Sequence, residues 1–262
     1  MIRKFIAAFV LALFMSSTAF ADAVIDWKDN VIRVTGNALG PPHLDKRDSF
    51  YKNLARQGAR LDAFRNIAEL ISSMTKTAAY FSDDYLSDDV IKTSMDFEFI
   101  PGQVRQTAIK FEEDGVCTVT LEIDILGDVS AMILSPFKNE PKLSFPMPST
   151  NVNLDGTTYT GLIIDCRGLP LNPVMSPAIK NANGQTIYGH QFLSYEKISS
   201  NGIVAYGMES SSRAGNNPLL VKAISLSDLN ANPVVSVADA DKILAANQRD
   251  KFLENCAVVL LK

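Results

Sequence analysis

Residues 49–81 read SFYKNLARQGARLDAFRNIAELISSMTKTAAYF. Apolar residues recur through this stretch mostly at three- and four-residue steps, the spacing that places side chains on one stripe of an α-helix. The predicted stripe consists of Phe50, Leu54, Leu61, Phe64, Ala68, Ile71, Met74 and Ala78. Gly58 also falls on the stripe, where a missing side chain would permit close packing. The stretch therefore predicts one long amphipathic helix.

Extended segments precede and follow this helix. Residues 30–36 form a β-branched run that ends in glycine, and residues 107–112 alternate in polarity before a turn at Gly115. From residue 117 to 125 apolar and polar side chains alternate strictly, which is typical of a half-buried antiparallel strand. The first half therefore predicts a β-α-β-β order, an α+β domain in which one long helix covers one face of an antiparallel sheet.

Prolines separate two halves of the chain. Four of them lie in one weakly patterned stretch: Pro136, Pro141, Pro146 and Pro148. Proline disrupts helices and sheets alike, because it lacks an amide proton and fixes φ. We therefore predict a linker at 135–156, between a first domain at 22–134 and a second domain at 157–262.

The second half contains short strands and many turn signals, so it is also predicted to be α+β. The predicted strands are 159–165, 178–180, 186–188, 203–206, 219–226 and 257–261. Asn183-Gly184 is typical of a tight hairpin turn, and Asn232-Pro233 is interpreted as a break in the chain. Ser236 and Asp239 resemble a capping box with aspartate in place of glutamate, which predicts a helix that runs to about Glu254.

The N-terminus has the features of a cleaved export signal. Basic residues at 3–4 precede an apolar run at 5–15 that is too short to span a bilayer. The small residues within 19–21 suit signal peptidase, so we predict a signal peptide at 1–21. No cysteine lies near the cleavage position, so no lipid anchor is expected. The protein is therefore predicted to be exported to the periplasm, where it could lie peripherally at the outer membrane.

The charge of the chain bears on its partners. Of the 25 basic residues, Arg3 and Lys4 leave with the signal, so 23 remain against 29 acidic residues. An acidic protein argues against nucleic acid or anionic lipid as the main partner. No second long apolar stretch follows the signal, so no transmembrane segment is predicted after cleavage.

The helix and its neighbouring strands resemble a known family. Residues 59–71, ARLDAFRNIAELI, are similar to the helix signature of the LPP-twenty lipoprotein family, which overlaps the N-terminal domain of flagellar assembly protein T. The strand at 32–36 and the Asp114-Gly115 turn occur in the order that the family shows. The resemblance covers residues 24–130, and residues 157–262 are similar to an extension found in some relatives. It implies an envelope protein without catalytic activity, and it associates several members with flagellar basal structures.

Few side chains suited to catalysis occur in the sequence. His43 and His190 are the only histidines, and both are expected at the surface because each lies beside turn residues. Motifs for zinc, a nucleophile elbow or nucleotide binding do not occur, so no catalytic, cofactor-binding or metal-binding residues are predicted. Four acidic residues lack the spacing of a calcium loop and are interpreted as capping or solvated: Asp83, Asp84, Asp88 and Asp89.

The cysteines and one charged turn are also interpreted structurally. Cys117 falls on the apolar face of its strand and is expected to be buried. Cys166 and Cys256 could form a disulfide in an oxidising compartment, provided that their α-carbons lie within about 7 Å. Asp165 and Arg167 are interpreted as an ion pair that steadies a loop, with an exposed recognition turn as the alternative.

These features favour a non-enzymatic exported envelope protein with an assembly or interaction role. Its partners would be envelope or flagellar proteins, or a second copy of the chain. A periplasmic ligand-binding module is the first alternative, since two domains joined by a linker could form a cleft. A hydrolase with an unrecognised site ranks last, because two histidines in turns offer little general-base chemistry.

Overall fold

The protein is of the α+β class, as predicted. Its structure is a computed structural model that describes residues 23–81, 103–154, 156–207 and 212–262. The predicted signal peptide at 1–21 and the acidic cluster that begins at Asp83 lie outside the described residues. Within the described ranges, no helix is both long enough and apolar enough to cross a membrane.

The first elements of the chain form a sheet and one long helix. They are strand β1 (Ala23–Asp26), strand β2 (Val31–Ala38), helix α1 (Ser49–Phe81), strand β3 (Val104–Phe111) and strand β4 (Cys117–Asp124). The sheet is antiparallel in the order β1-β2-β4-β3, and α1 packs on it. The predicted β-α-β-β order is therefore confirmed, and β1 adds a strand that no sequence pattern indicated.

The remaining elements form two further sheets with short helices. They are α2 (Asp128–Ile133), β5 (Gly161–Asp165), β6 (Ile179–Asn181), β7 (Thr186–Tyr188), α3 (Tyr195–Asn201), β8 (Ala205–Gly207), β9 (Pro218–Lys222), β10 (Ser225–Ser227), β11 (Asn232–Val235), α4 (Val237–Asp250) and β12 (Val258–Leu261). One sheet has the order β8-β12-β5-β9 and is parallel throughout. The other has the order β10-β11-β6-β7 and is mixed.

The chain divides into two compact units. One contains Arg33–Ile67 and Gln106–Leu121, together with the described residues before Ile25. The other contains Ile25–Ile32, Ala68–Arg105 and Glu122–Lys262. The proline-rich stretch therefore lies inside the second unit, where it includes a short 3₁₀ turn at Ser135–Phe137.

The buried side of α1 differs from the predicted stripe in the first half of the helix. Phe50 and Leu61 are 59% and 71% exposed, so the prediction was wrong for both. The residues that face the core are Tyr51, Ala55, Ala59, Ala63, Ile67, Ile71, Met74 and Ala78. The prediction followed the largest apolar side chains, whereas after Tyr51 three alanines, Ala55, Ala59 and Ala63, line the core side over three successive turns.

Strand β2 approaches helix α1 closely at Gly36, beside Ala59 and Ala63. A Cβ atom on Gly36 would lie 2.1 Å from the backbone nitrogen of Ala63 and 2.3 Å from the carbonyl oxygen of Ala59. Such distances leave no room for a side chain at position 36. Close packing at Gly58 is confirmed as well, since a Cβ atom there would lie 2.8 Å from the Cβ of Ala38.

Polar contacts hold the same face of the helix to the end of β2. The backbone N–H of Asn37 donates to Oδ2 of Asp62 on α1, at 2.9 Å. Arg65 forms an ion pair with the same carboxylate. Asp62 therefore links the strand to an exposed charge on the helix.

The parallel sheet forms the centre of residues 161–262. Strand β5 pairs with β12 on one side and with β9 on the other. All four residues of β12 are buried, and so are the first four residues of β5. Continuous apolar strands of this kind are typical of parallel sheets, in which both faces are covered.

Helix α4 begins where the capping signal predicted. Ser236 is the N-cap, and its Oγ accepts a hydrogen bond of 3.0 Å from the backbone N–H of Asp239. The helix ends at Asp250, four residues before the predicted end, because Lys251 adopts a left-handed conformation with φ of 57°.

The interpretation of Asn232-Pro233 as a break was wrong, since both residues lie in β11. Pro233 is tolerated because the pairing of β11 with β6 starts one residue later, at Val234.

The sheet register excludes the disulfide that the sequence suggested. Cys166 follows the C-terminal end of β5, whereas Cys256 precedes the N-terminal end of the parallel strand β12. Val258 lies opposite Leu162, so the two cysteines flank opposite ends of the sheet. Cys166 lies four residues beyond Leu162, at about 3.3 Å per residue along the strand. That distance alone exceeds the limit of about 7 Å between the α-carbons of a disulfide. All three cysteines are free and buried, which confirms the placement of Cys117.

We expect Gly36→Ala to lower the free energy of unfolding by about 3 kcal/mol, because the added methyl group forces strand and helix backbones apart. Urea unfolding followed by circular dichroism measures the change. Gln106→Ala is the matched control, since this residue of the same sheet is exposed and should change stability by less than about 0.5 kcal/mol. Equal stability of Gly36→Ala and the wild type would contradict the close approach.

Candidate functional site

His190 lies in the interior, so its predicted surface position was wrong. The side chain is 7% exposed, because the 3₁₀ turn His190–Phe192 directs the ring inward. There it stacks on Phe137, with ring centroids 4.1 Å apart and an interplanar angle of 26°. His43, by contrast, is exposed, as predicted.

His190 also lies between a hydroxyl and a carboxylate. Ser176 Oγ is 3.5 Å from Nδ1, and Glu140 Oε2 is 3.3 Å from Nε2. The arrangement contains the residue types of a catalytic triad, but Ser176 is only 1% exposed. A pocket of about 210 Å³ in front of the ring is lined by His190 and Glu140 and not by Ser176. A nucleophile in that position cannot reach a substrate, so we interpret the cluster as a structural anchor for Glu140.

A groove runs between the proline-rich stretch and helix α4. We call it the proline-rich groove and define it by residues 142–147 on one wall and by Leu244, Asn247, Gln248, Lys251 and Glu254 on the other. Its volume is about 420 Å³. Leu143 and Met147 are 54% and 74% exposed beside it, which is unusual for large apolar side chains.

Both charge and apolar surface line this groove. Lys142 and Lys251 contribute two cations, and Glu254 contributes one carboxylate that lies 3.7 Å from Lys251. Phe145 closes one side and stacks on Phe192, with centroids 5.1 Å apart. A concave apolar surface with a few polar groups is the usual form of a small-molecule site.

Hydrogen bonds from distant residues hold the proline-rich wall in place. The backbone N–H of Leu143 donates to the carbonyl oxygen of Gln191 at 2.8 Å. Asp241 of α4 accepts bonds from the backbone N–H and the hydroxyl of Ser149, both at 2.7 Å, and from the hydroxyl of Thr150 at 2.8 Å. These partners lie about 90 residues away from Asp241 in the chain, so no short stretch of sequence indicates them.

The hydrogen bonds to Asp241 have an electrostatic consequence. The bond from the Ser149 hydroxyl is the main reason that the pKa of the Asp241 carboxyl lies below its usual value, and the bonds from its backbone and from Thr150 add to the effect. A carboxyl whose pKa falls on folding contributes stability at neutral pH. The proline-rich wall is therefore held by an ionised group that is only 4% exposed.

A second candidate surface is the edge strand β3. It ends the antiparallel sheet, with a neighbouring strand on one side only among the described residues. Seven of its eight residues are exposed, from Arg105 through Phe111. Ile109 and Phe111 are 40% and 39% exposed, so the strand presents apolar side chains as well as its backbone. Exposed edges of this kind can pair with another chain.

Other sequence-predicted groups have structural roles. Arg167 Nε and Nη2 donate to the two carboxylate oxygens of Asp165 at 2.8 and 2.7 Å, which confirms the ion-pair interpretation. These bonds lower the pKa of Asp165 to about 2. Burial raises the pKa of the Cys166 thiol to about 12. In the part of the chain that the structure describes, no group of three or more potential metal ligands occurs.

Asp241→Asn should lower the free energy of unfolding at pH 7 by about 2 kcal/mol, since it replaces charge-assisted hydrogen bonds. The contribution exists above the unfolded pKa of about 3.9 and is lost as pH falls through the lower folded value. The difference in the free energy of unfolding between wild type and variant should therefore shrink below about pH 4. Urea unfolding across pH measures it, with the exposed Asp29→Asn as control. A difference that stays constant to pH 2 would rule out the ionised anchor.

Comparison with known proteins concerns the C-terminal part of the chain. A family model described as the second domain of Treponema pallidum Tp0624 matches residues 161–262. The matched range begins at β5 and ends after β12, so it contains the whole parallel sheet. No curated protein matches the chain. Residues 161–262 are thus similar to that treponemal domain.

Proposed function

We propose that this is a non-enzymatic exported protein of the bacterial envelope that assembles with itself through strand β3. The observation that carries the proposal is the exposure of seven consecutive residues on an edge strand. An exposed edge presents unpaired backbone donors and acceptors, and a second strand can satisfy them. A second copy supplies such a strand.

The sequence of β3 is compatible with antiparallel pairing to itself. A two-fold axis at Ala108 places Ala108 opposite Ala108, Thr107 opposite Ile109, and Gln106 opposite Lys110. No pair in this register opposes like charges, which would destabilise it. Isologous pairing also closes on itself, so it yields a dimer rather than a fibre.

The resemblance to the LPP-twenty family supports an envelope location. The strand, the long helix and the closing hairpin occur as β2, α1 and β3-β4. We therefore propose that residues 24–130 belong with that family, that the protein is periplasmic and peripheral at the outer membrane, and that envelope or flagellar proteins are its further partners. The predicted signal peptide provides the route of export.

Ala108→Lys should dissociate the assembly, because like charges then lie opposite each other at the two-fold axis. Ala108→Glu should do the same, and a one-to-one mixture of the two variants should restore the dimer. Analytical ultracentrifugation reports each mass. The expected rise in dissociation constant is about tenfold or more for either variant alone.

Leu143→Lys is the matched control, since it also places a charge at an exposed apolar residue but is not part of β3. A monomeric wild type, or a mixture that stays monomeric, would refute assembly through this strand.

A ligand-binding module is the second candidate function, and the proline-rich groove favours it. Its apolar wall would take a hydrocarbon chain, while Lys142 and Lys251 would bind a carboxylate or phosphate. Dodecanoate below its critical micelle concentration is the probe. We expect it to raise the melting temperature of the wild type and to have no effect on Lys142→Glu.

Dodecanol, which lacks the anionic group, is the ligand control, and Lys110→Glu is the protein control because Lys110 is exposed on β3. No shift with dodecanoate, or an equal shift in Lys142→Glu, would remove this candidate.

A further inference from the structure

Strand β9 ends the parallel sheet of the second unit. Its residues Pro218–Lys222 pair with β5, and the described residues place no strand on its other side. The N–H of Ala223 continues the ladder by donating to the carbonyl oxygen of Asp165 at 2.9 Å. Backbone groups alternate along a strand, so the amides of Leu220 and Lys222 point away from β5. The edge therefore presents two outward amides.

Side chains along this edge alternate between buried and exposed. Leu219, Val221 and Ala223 are 2%, 3% and 4% exposed and belong to the core. Leu220 is 62% exposed and Lys222 is also exposed. Leu220 and Lys222 therefore lie on the same exposed face of this open edge, where side chains of an added strand could contact both.

The charge beside the edge is positive. Asp165 lies opposite Lys222 in the register of β5 and β9, but its carboxylate already accepts hydrogen bonds from Nε and Nη2 of Arg167. The three groups together carry one positive charge. An acidic residue is therefore the complementary partner for Lys222.

We propose that the β9 edge binds an extended segment of a partner protein, one with an apolar residue opposite Leu220 and an acidic residue opposite Lys222. Main-chain hydrogen bonds to the amides of Leu220 and Lys222 supply affinity, and the two side chains supply specificity, as in β-strand addition. The occupant is not a second copy of this strand, because residues 218–222 contain no carboxylate. The site is separate from β3 and does not depend on self-assembly there.

The test uses the peptide acetyl-Ser-Thr-Val-Thr-Glu-Thr-Val-Ser-amide and a second peptide with Lys in place of Glu. In fluorescence anisotropy the wild-type protein should prefer the Glu peptide by about tenfold, because a charge pair replaces a repulsion. Lys222→Glu should reverse the preference, and Lys222→Gln should abolish it. Methylation of the backbone nitrogens of the peptide should remove binding.

Amide NMR shifts locate the bound peptide, and those of Leu220 and Lys222 should move most. Lys110→Glu changes an exposed lysine on β3 and should leave the preference unchanged, whereas a reversal there would assign the peptide to β3. The Ala108→Lys monomer should bind the peptide as the wild type does, so failure of the β3 assembly would not affect this result. No binding by the wild type up to the solubility limit of the peptide, or an unchanged preference in Lys222→Glu, would overturn the proposal.

Discussion

The backbone-to-backbone approach between Gly36 of β2 and the turn Ala59–Ala63 of α1 is the constraint on which the first unit depends. A side chain at position 36 would overlap the helix backbone itself, which cannot move aside as a flexible side chain can. The approach explains why the core side of the helix carries alanines over three successive turns. It also fits the exposure of Leu61, which lies between Ala59 and Ala63, because only small side chains fit where strand and helix come this close.

The second unit depends on a different kind of constraint, a few polar groups that hold an otherwise irregular stretch. Proline-rich backbone cannot form a helix or a sheet ladder, so its polar groups need other partners. Asp241 provides three hydrogen bonds for Ser149 and Thr150, and Gln191 provides one for Leu143. The ring of His190 packs beneath the start of this stretch on Phe137. One wall of the groove is therefore a consequence of contacts that span much of the chain.

Edge strands connect the fold with the proposed roles. An open sheet always leaves two edges, and proteins usually shorten, charge or cover them. The antiparallel sheet leaves β3 exposed along nearly its whole length, and the parallel sheet leaves β9 with Leu220 and Lys222 at the surface. The two edges differ in charge. Two copies of β3 can pair without placing like charges opposite each other, whereas β9 contains no carboxylate that could pair with Lys222 of a second copy. A protein that joins like and unlike partners could use one edge for each.

Local patterns determined much of this protein. The capping residue Ser236, the strict alternation from Cys117 and the long helix at 49–81 were all readable from the sequence, because each depends on neighbours within one or two turns or strands. Tertiary structure alone decided which side of α1 faces the sheet, since the choice depends on the distance between Gly36 and the helix backbone. It also decided the burial of His190, the partners of Asp241 and the separation of Cys166 from Cys256. These features depend on contacts or strand register between segments far apart in the chain, and a short window of sequence does not contain that information.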